Sequence, residues 1–246
     1  MGAHRPRRGA AQGGLTGRVD ETGPRRKLYG RRHGKRLRES QRRLLAELLP
    51  RLRIAGVAPD ANPGRTPLPP LFDDGRPLWL EVGFGAGEHL VAMAEANPAV
   101  GLIGCEPFVN GVAMALGRIE RAGVGNVRLH PGDARDLIEL LPPGALSRVF
   151  LLYPDPWPKA RHARRRFASR ENLALLGPVT AAGAELRIAT DIADYADHAL
   201  AEAAASPGWQ VVSDSADPWD DWPGTRYEAK ALVAGRRPRY LTLVRA

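Results

Sequence analysis

The chain has 246 residues, 43% of them hydrophobic, which is enough to bury one sizeable core. It contains no run of about 18 apolar residues, so we expect no membrane span. The N-terminus lacks the apolar core of a signal peptide, and we expect a reducing, cytoplasmic location. The single cysteine, Cys105, excludes an internal disulfide and a cysteine-cluster metal site. The six scattered histidines have no metal-ligand spacing, so we expect no metal.

The net charge of +9 is unevenly distributed along the chain. Residues 1–60 contain 16 Lys and Arg against 5 Asp and Glu, whereas residues 61–246 contain 20 against 22. A basic arm on a near-neutral body predicts a polyanionic partner, because displaced counterions favour such binding. A solvated tail without a partner is the alternative.

The first third of the chain divides into three segments by composition. Residues 1–24 are rich in Gly, Arg and Ala without periodicity, which predicts a disordered basic tail. Residues 25–77 are predicted to form a basic arm, a short helix from Ser40 to Leu52 and a Pro/Gly-rich linker. Pro50 is expected to end or kink the helix. A single domain is predicted over residues 78–246.

Short apolar runs alternate with helical patterns in residues 78–246. The runs predict buried strands at 78–84, 100–106, 127–133, 148–154 and 185–190. Helical spacing appears at 88–97, 110–122, 134–141, 169–177 and 192–205. This alternation predicts a doubly wound α/β sheet with a mainly parallel centre. Two further runs, at 209–212 and 240–244, predict seven strands in all, with the last strand antiparallel.

Acidic and glycine residues follow the first three predicted strands, at the edge where a doubly wound sheet binds ligands. The first strand leads into Gly83, Gly85 and Gly87, which permit a tight turn and a ligand close to the backbone. Glu106 ends the second strand, where its carboxylate could accept both hydroxyls of a ribose. Asp133 ends the third strand and could meet the exocyclic amine of an adenine.

The GxGxG spacing differs from the GxGxxG of dinucleotide binders, because Glu88 stands where the last glycine is required. A carboxylate there would repel a diphosphate from the helix N-terminus. S-adenosylmethionine has no phosphate and carries a sulfonium cation, so acidic surroundings favour it. Glu81 lies within an apolar strand, where an unpaired carboxylate is costly, which indicates a ligand or backbone role. The alternative is that Glu81, Glu106 and Asp133 are ordinary strand-end acids.

The fourth strand runs into the sequence YPDPWPKARHARRR. Two prolines stiffen the turn around Asp155, and Trp157 offers a ring face on which a base could stack. The basic run from Lys159 to Arg166 predicts phosphate binding. The alternative is a Pro-rich surface loop followed by a solvated basic helix start.

These motifs together resemble the bacterial tRNA (guanine-N7)-methyltransferases over roughly residues 25–246. The matching text is EVGFGAG, GCEPF, PGDA, PDPWPKARHARRR, IATDIADYA and TRYE. The resemblance implies a Rossmann-like methyltransferase, S-adenosylmethionine as donor, and tRNA as partner, methylated on N7 of the variable-loop guanosine at position 46. The chain departs from the family pattern at two places. Pro158 stands where His is commoner, and TRYE stands for the usual TKFE. The second departure places Arg where the family has Lys, and the two side chains differ in fork geometry.

The resemblance also implies site residues. It places cofactor contacts at Glu81, Glu106, Asp133 and Asp155, together with the glycines of the turn, and makes Asp155 the catalytic residue. It places substrate contacts at Lys159, Asp191, Thr225, Arg226, Tyr227 and Glu228. Asp191 could read the guanine N1–H and 2-amine, or cap the next helix. Because guanine N7 has a free lone pair, Asp155 suits stabilising positive charge better than removing a proton. We expect a monomer or a weak homodimer.

Two other functions remain open at this point. The same fold and donor could serve methylation of an exocyclic amine, since a DPPY-like loop does so in N6-adenine methyltransferases. A non-catalytic RNA-binding module with a degenerate methyltransferase fold is the second alternative. The intact GxGxG turn, Glu106 and Asp133 argue against that module.

Overall fold

The computed structural model describes residues 28–246, so the predicted tail at 1–24 and the start of the arm lie outside the described residues. Seven strands of the described chain form one sheet in the order β3-β2-β1-β4-β5-β7-β6. They are β1 Leu78–Val82, β2 Gly101–Cys105, β3 Val127–His130, β4 Leu146–Leu152, β5 Thr180–Thr190, β6 Trp209–Ser215 and β7 Arg239–Arg245. Strands β1 to β5 are parallel, and β7 runs antiparallel to both neighbours. The predicted doubly wound, seven-stranded sheet with an antiparallel last strand is confirmed.

Helices connect the strands and cover both faces of the sheet. They are α1 Glu39–Glu47, α2 Leu49–Leu52, α3 Glu88–Ala96, α4 Val109–Ala122, α5 Ala134–Ile138, α6 Arg170–Leu176, α7 Ala193–Ala204 and α8 Arg226–Val233. Pro50 lies in the first turn of α2 and separates it from α1, as predicted. Helix α8 was not predicted. Its sequence signal is the capping box that Thr225 forms with Glu228.

Successive residues of the central strands enter opposite halves of the core, because side chains alternate across a sheet. On β1 and β2, Leu80 and Ile103 pack on one face of the sheet, and Leu102 packs on the other. On β4, Val149 packs on the same face as Leu80, and Phe150 packs on the same face as Leu102. Because both faces of the sheet are buried, the sequences of these strands are continuous apolar runs and do not alternate between apolar and polar residues.

The segment that leads into β1, which includes the predicted Pro/Gly-rich linker, is packed on the body. The Ile54 amide donates to the Leu129 carbonyl oxygen at 2.9 Å, and the Leu68 amide donates to the Leu140 carbonyl oxygen at 2.8 Å. Ile54, Val57, Leu68 and Phe72 are buried. Apolar residues scattered among the prolines therefore anchor this segment without helical or strand periodicity.

Among residues 28–246, no helix is both long enough and apolar enough to cross a lipid bilayer.

Candidate active site

A cavity of about 360 Å³ opens at the carboxyl ends of β1 to β4. Its volume falls within the range of small-molecule sites. Its wall includes Gly83, Gly85, Glu106, Asp133 and Asp155. Because the carboxyl ends of parallel strands meet at one edge, the sheet brings together five residues that the sequence placed after four different strands.

The glycine turn after β1 needs backbone conformations that other residues rarely adopt. Gly83, Gly85 and Gly87 have φ of 76°, 57° and 77°. A Cβ on Gly87 would lie 2.7 Å from the Cβ of Ala115, so the turn packs directly on α4. A Cβ on Gly83 would meet no atom within 4 Å. Gly83 therefore leaves space for a ligand, and Gly87 allows the helices to pack closely.

Glu106 joins the turn after β1 to the turn after β2. Its Oε2 accepts from the Gly85 amide, and its Oε1 accepts from the Phe108 amide, each at 2.8 Å. Burial raises the pKa of the Glu106 carboxyl, and the two backbone N–H donors oppose that rise. Each carboxylate oxygen can accept a further hydrogen bond from the cavity.

Asp133 lines the cavity and also caps α5. Its Oδ1 accepts from the Arg135 amide at 3.0 Å, and its Oδ2 lies 2.5 Å from Nη2 of Arg135. An adenine amine at Asp133 would therefore share this carboxylate with an arginine of the same chain.

The loop after β4 is held in a strained shape. Tyr153 and Trp157 have φ of 48° and 43°, in the left-handed region that aromatic residues rarely adopt. The Arg166 side chain is only 4% exposed, and its Nε donates to the Pro156 carbonyl oxygen at 2.9 Å. Arg166 also pairs with Asp194. Arg166 belongs to the basic run that was predicted to bind phosphate, but its side chain holds the loop in place.

The arm lines the cavity, and Tyr29 of the arm contacts Trp157. The Arg165 guanidinium carbon lies 4.8 Å from the centre of the Trp157 ring and 4.5 Å from that of Tyr29. The rings of Tyr29 and His162 approach Trp157 edge-on. A Cβ on Gly30 would lie 3.6 Å from Oδ2 of Asp155. Residues of the same chain therefore surround the ring predicted to stack a base, and the sequence did not predict this coverage.

Several predicted site residues do not line this cavity. They are Glu81, Gly87, Lys159, Asp191, Thr225 and Glu228, whereas Arg226 and Tyr227 do line it. Oε2 of Glu81 lies 2.8 Å from Nδ1 of His89, and both side chains are buried. Asp191 pairs with Arg236 at 2.5 Å. Asp191 does not cap α7, because the N-cap residue is Ile192.

Within residues 28–246, no three or more His, Cys, Asp or Glu side chains are grouped so that they could hold a metal ion.

Fold and family comparisons identify the class of protein. Residues 75–239 match the family described as "Putative methyltransferase". The fold is similar to that of the 16S rRNA methyltransferase KamB, with a TM-score of 0.54 and 17% identity over 69% of this chain and 88% of KamB. The chain is thus a member of the methyltransferase class.

Closer relatives define the family. The chain is 55% identical over 228 residues to the tRNA (guanine-N(7)-)-methyltransferase of Paracoccus denitrificans (strain Pd 1222), covering 92% of this chain and 97% of the relative. It is 55% identical over 222 residues to the protein of the same name from Cereibacter sphaeroides, covering 89% of this chain and 91% of that relative. The chain belongs to the tRNA (guanine-N(7)-)-methyltransferase family.

The role of Arg166 can be tested against its neighbour Arg164, which is exposed at the cavity. We expect Arg166→Ala to lower the free energy of unfolding by about 2–3 kcal/mol, because a buried, charged donor is lost. Arg164→Ala should change it by less than about 0.5 kcal/mol, as for most surface substitutions. Urea denaturation measures both. Equal effects of the two substitutions would show that Arg166 is not a brace.

Proposed function

We propose that this chain transfers a methyl group from S-adenosylmethionine to N7 of a guanine in tRNA. The family resemblance favours the variable-loop guanosine at position 46 as the target. The observation that carries the proposal is a single cavity walled by the glycine turn, the Glu106 carboxylate and the Asp155 loop. The names of relatives at 55% identity support the choice of tRNA and of guanine N7.

The residues around the cavity fit the donor. Glu106 offers two carboxylate oxygens for the ribose hydroxyls, and Gly83 leaves space beside them. Glu88 begins α3 and is paired with Arg118 at 2.7 Å, so a carboxylate of the chain already stands at the helix N-terminus where a phosphate would otherwise bind. When bound, S-adenosylmethionine supplies an electrophilic methyl group on a sulfonium cation.

The protein then promotes the reaction by aligning the donor with the guanine and by stabilising the positive charge that develops on the base. Guanine N7 has a free lone pair, so no proton must be removed before it attacks. The methylated base becomes cationic, and a fixed carboxylate beside it stabilises that charge as it develops. Asp155 fits this role, because it lies on the cavity wall between Pro154 and Pro156. Arg166 holds the backbone of the same loop through the Pro156 carbonyl.

Positive charge around the cavity suits the phosphates of tRNA. Arg31, Arg164, Arg165 and Arg226 lie on its wall or rim. Lys159, which is exposed just before this arginine cluster, would extend the positive surface. Because such contacts release counterions, tRNA affinity should fall steeply with salt concentration.

The activity is tested by incubating the purified chain with radiolabelled donor and bulk tRNA. Borohydride and aniline treatment then cleaves the product at 7-methylguanosine. We expect labelled tRNA that is cut within the variable loop. Labelled tRNA that resists cleavage would mean methylation of another atom, such as an exocyclic amine. Retained tRNA binding without any label would mean a non-catalytic RNA-binding module, and either result contradicts the proposal.

Replacing Glu106 should weaken donor binding specifically. Glu106→Ala removes charge-assisted hydrogen bonds worth about 1.5–3 kcal/mol, so the dissociation constant for S-adenosylmethionine should rise by a factor of about 10 or more. Because burial raises the pKa of Glu106, this carboxylate takes up a proton at a higher pH than an exposed glutamate. Wild-type donor affinity should therefore fall as the pH is lowered, and the alanine variant should lose that dependence.

Calorimetry with S-adenosylmethionine measures both effects. Glu95→Ala, which removes an exposed carboxylate from α3, is the control and should bind the donor normally. Circular dichroism checks that the variants fold, since the Gly85 and Phe108 amides lose their acceptor in Glu106→Ala. Unchanged donor affinity in a folded Glu106→Ala protein would remove Glu106 from the site.

A further inference from the structure

We propose that Glu228 is a positioning residue rather than a contact to tRNA. Its carboxylate, together with Trp222 and Tyr240, holds the first turn of α8 on the sheet. Held there, Arg226 and Tyr227 form part of the wall of the donor cavity. This inference rests on the proposed function for its kinetic test and, through the choice of donor, for its binding test, but not for its spectroscopic test.

The Glu228 carboxylate is engaged by donors from three parts of the chain. Its Oε2 accepts from the Trp222 indole Nε1 at 2.9 Å and from the Thr225 amide at 3.3 Å. Its Oε1 accepts from the Tyr240 hydroxyl. Glu228 is half-buried and lies outside the lining of the cavity. Its contacts thus join the connection before α8, the cap of α8 and strand β7.

The donors are themselves held firmly. Tyr240 is 3% exposed in β7. The Trp222 ring centre lies 5.8 Å from that of Tyr240 and 5.3 Å from that of His89. His89 contacts Glu81 in the interior of β1. A continuous set of buried and half-buried contacts therefore runs from Glu81 to Glu228. Because His89 is a partner for the Glu81 carboxylate, the cost that suggested a ligand role for Glu81 is removed.

The position of α8 shapes the donor cavity. Thr225 Oγ1 accepts from the Glu228 amide at 3.1 Å and completes the capping box that starts the helix. A Cβ on Gly85 would lie 3.6 Å from the Tyr227 ring and 3.7 Å from the Arg226 guanidinium. The Tyr227 ring also stacks on Tyr153, with ring centres 6.5 Å apart. A shift of the first turn of α8 would therefore move groups against both the glycine turn and the loop after β4.

The test compares Glu228→Ala, Glu228→Gln, Trp222→Phe and the double variant Glu228→Ala/Trp222→Phe in the full chain. Trp222→Phe keeps an aromatic ring but removes the N–H. The glutamine in Glu228→Gln can still accept a hydrogen bond from Trp222 and can donate one to the Tyr240 oxygen, so this variant should keep the first turn of α8 in place. Asp217→Asn, which neutralises an exposed carboxylate in the same connection, is the control. Thermal unfolding identifies variants that fail to fold, and Tyr240→Phe then replaces Glu228→Ala.

Donor affinity without tRNA is the first measurement. We expect Glu228→Ala and Trp222→Phe each to weaken S-adenosylmethionine binding about tenfold, the scale of one hydrogen bond to a charged group. The double variant should be no weaker than the worse single variant, because both remove the same contact. Glu228→Gln should stay within about threefold of wild type. The Trp222 indole N–H resonance, assigned by its absence in Trp222→Phe, should shift in Glu228→Ala.

A tRNA contact at Glu228 would give a different pattern. Both Glu228 variants would then raise KM for tRNA equally, with donor affinity unchanged and Trp222→Phe at the wild-type level. That pattern, additive losses in the double variant, or an unshifted indole resonance would overturn the inference. If the wild-type chain binds the donor but methylates no tRNA, the proposed function fails, while donor affinity and the indole resonance still decide the role of Glu228.

Discussion

The buried Glu106 carboxylate is the contact on which the rest of the site depends. Parallel strands β1 and β2 end at the same edge of the sheet, and Glu106 ties their two turns together through the Gly85 and Phe108 amides. Those turns form one side of the cavity, and the loop that carries Asp155 forms another. One side chain, placed by strand direction, therefore joins two walls of the proposed donor site and adds to the negative charge that Asp133 and Asp155 also supply.

Polar residues near this edge line the cavity, hold its walls, or do both. Glu106 and Asp155 line it, and Arg166, which also lines it, holds the loop after β4 through the Pro156 carbonyl oxygen. Glu228 has donors on both carboxylate oxygens and holds the start of α8. A motif residue can thus hold the wall of a site without lining the cavity, as Glu228 does, and its hydrogen-bond partners show this.

Local sequence patterns predicted the sheet, because buried parallel strands are short apolar runs. They also predicted the strand-end residues, because the carboxyl ends of parallel strands lie at the edge of the sheet where ligands bind. They did not predict α8, which has eight residues and one buried side chain, Ala231. Ile54 and Leu68 were hidden among prolines and glycines, so their packing had no periodic signal. Long-range partners, such as Tyr29 on Trp157 or Arg236 on Asp191, leave no local pattern, and the sequence could not assign them.

The most direct test of the account is the single-turnover methylation rate of Asp155→Asn at saturating tRNA and S-adenosylmethionine. This substitution keeps the size of the side chain and removes its charge. If the carboxylate stabilises the developing cation, the barrier should rise by about 2–4 kcal/mol, a slowing of roughly 30- to 1,000-fold, with tRNA affinity nearly unchanged. Lys159→Ala should instead weaken tRNA binding and leave the saturated rate intact. A fully active Asp155→Asn enzyme would contradict the account and leave alignment alone to explain catalysis.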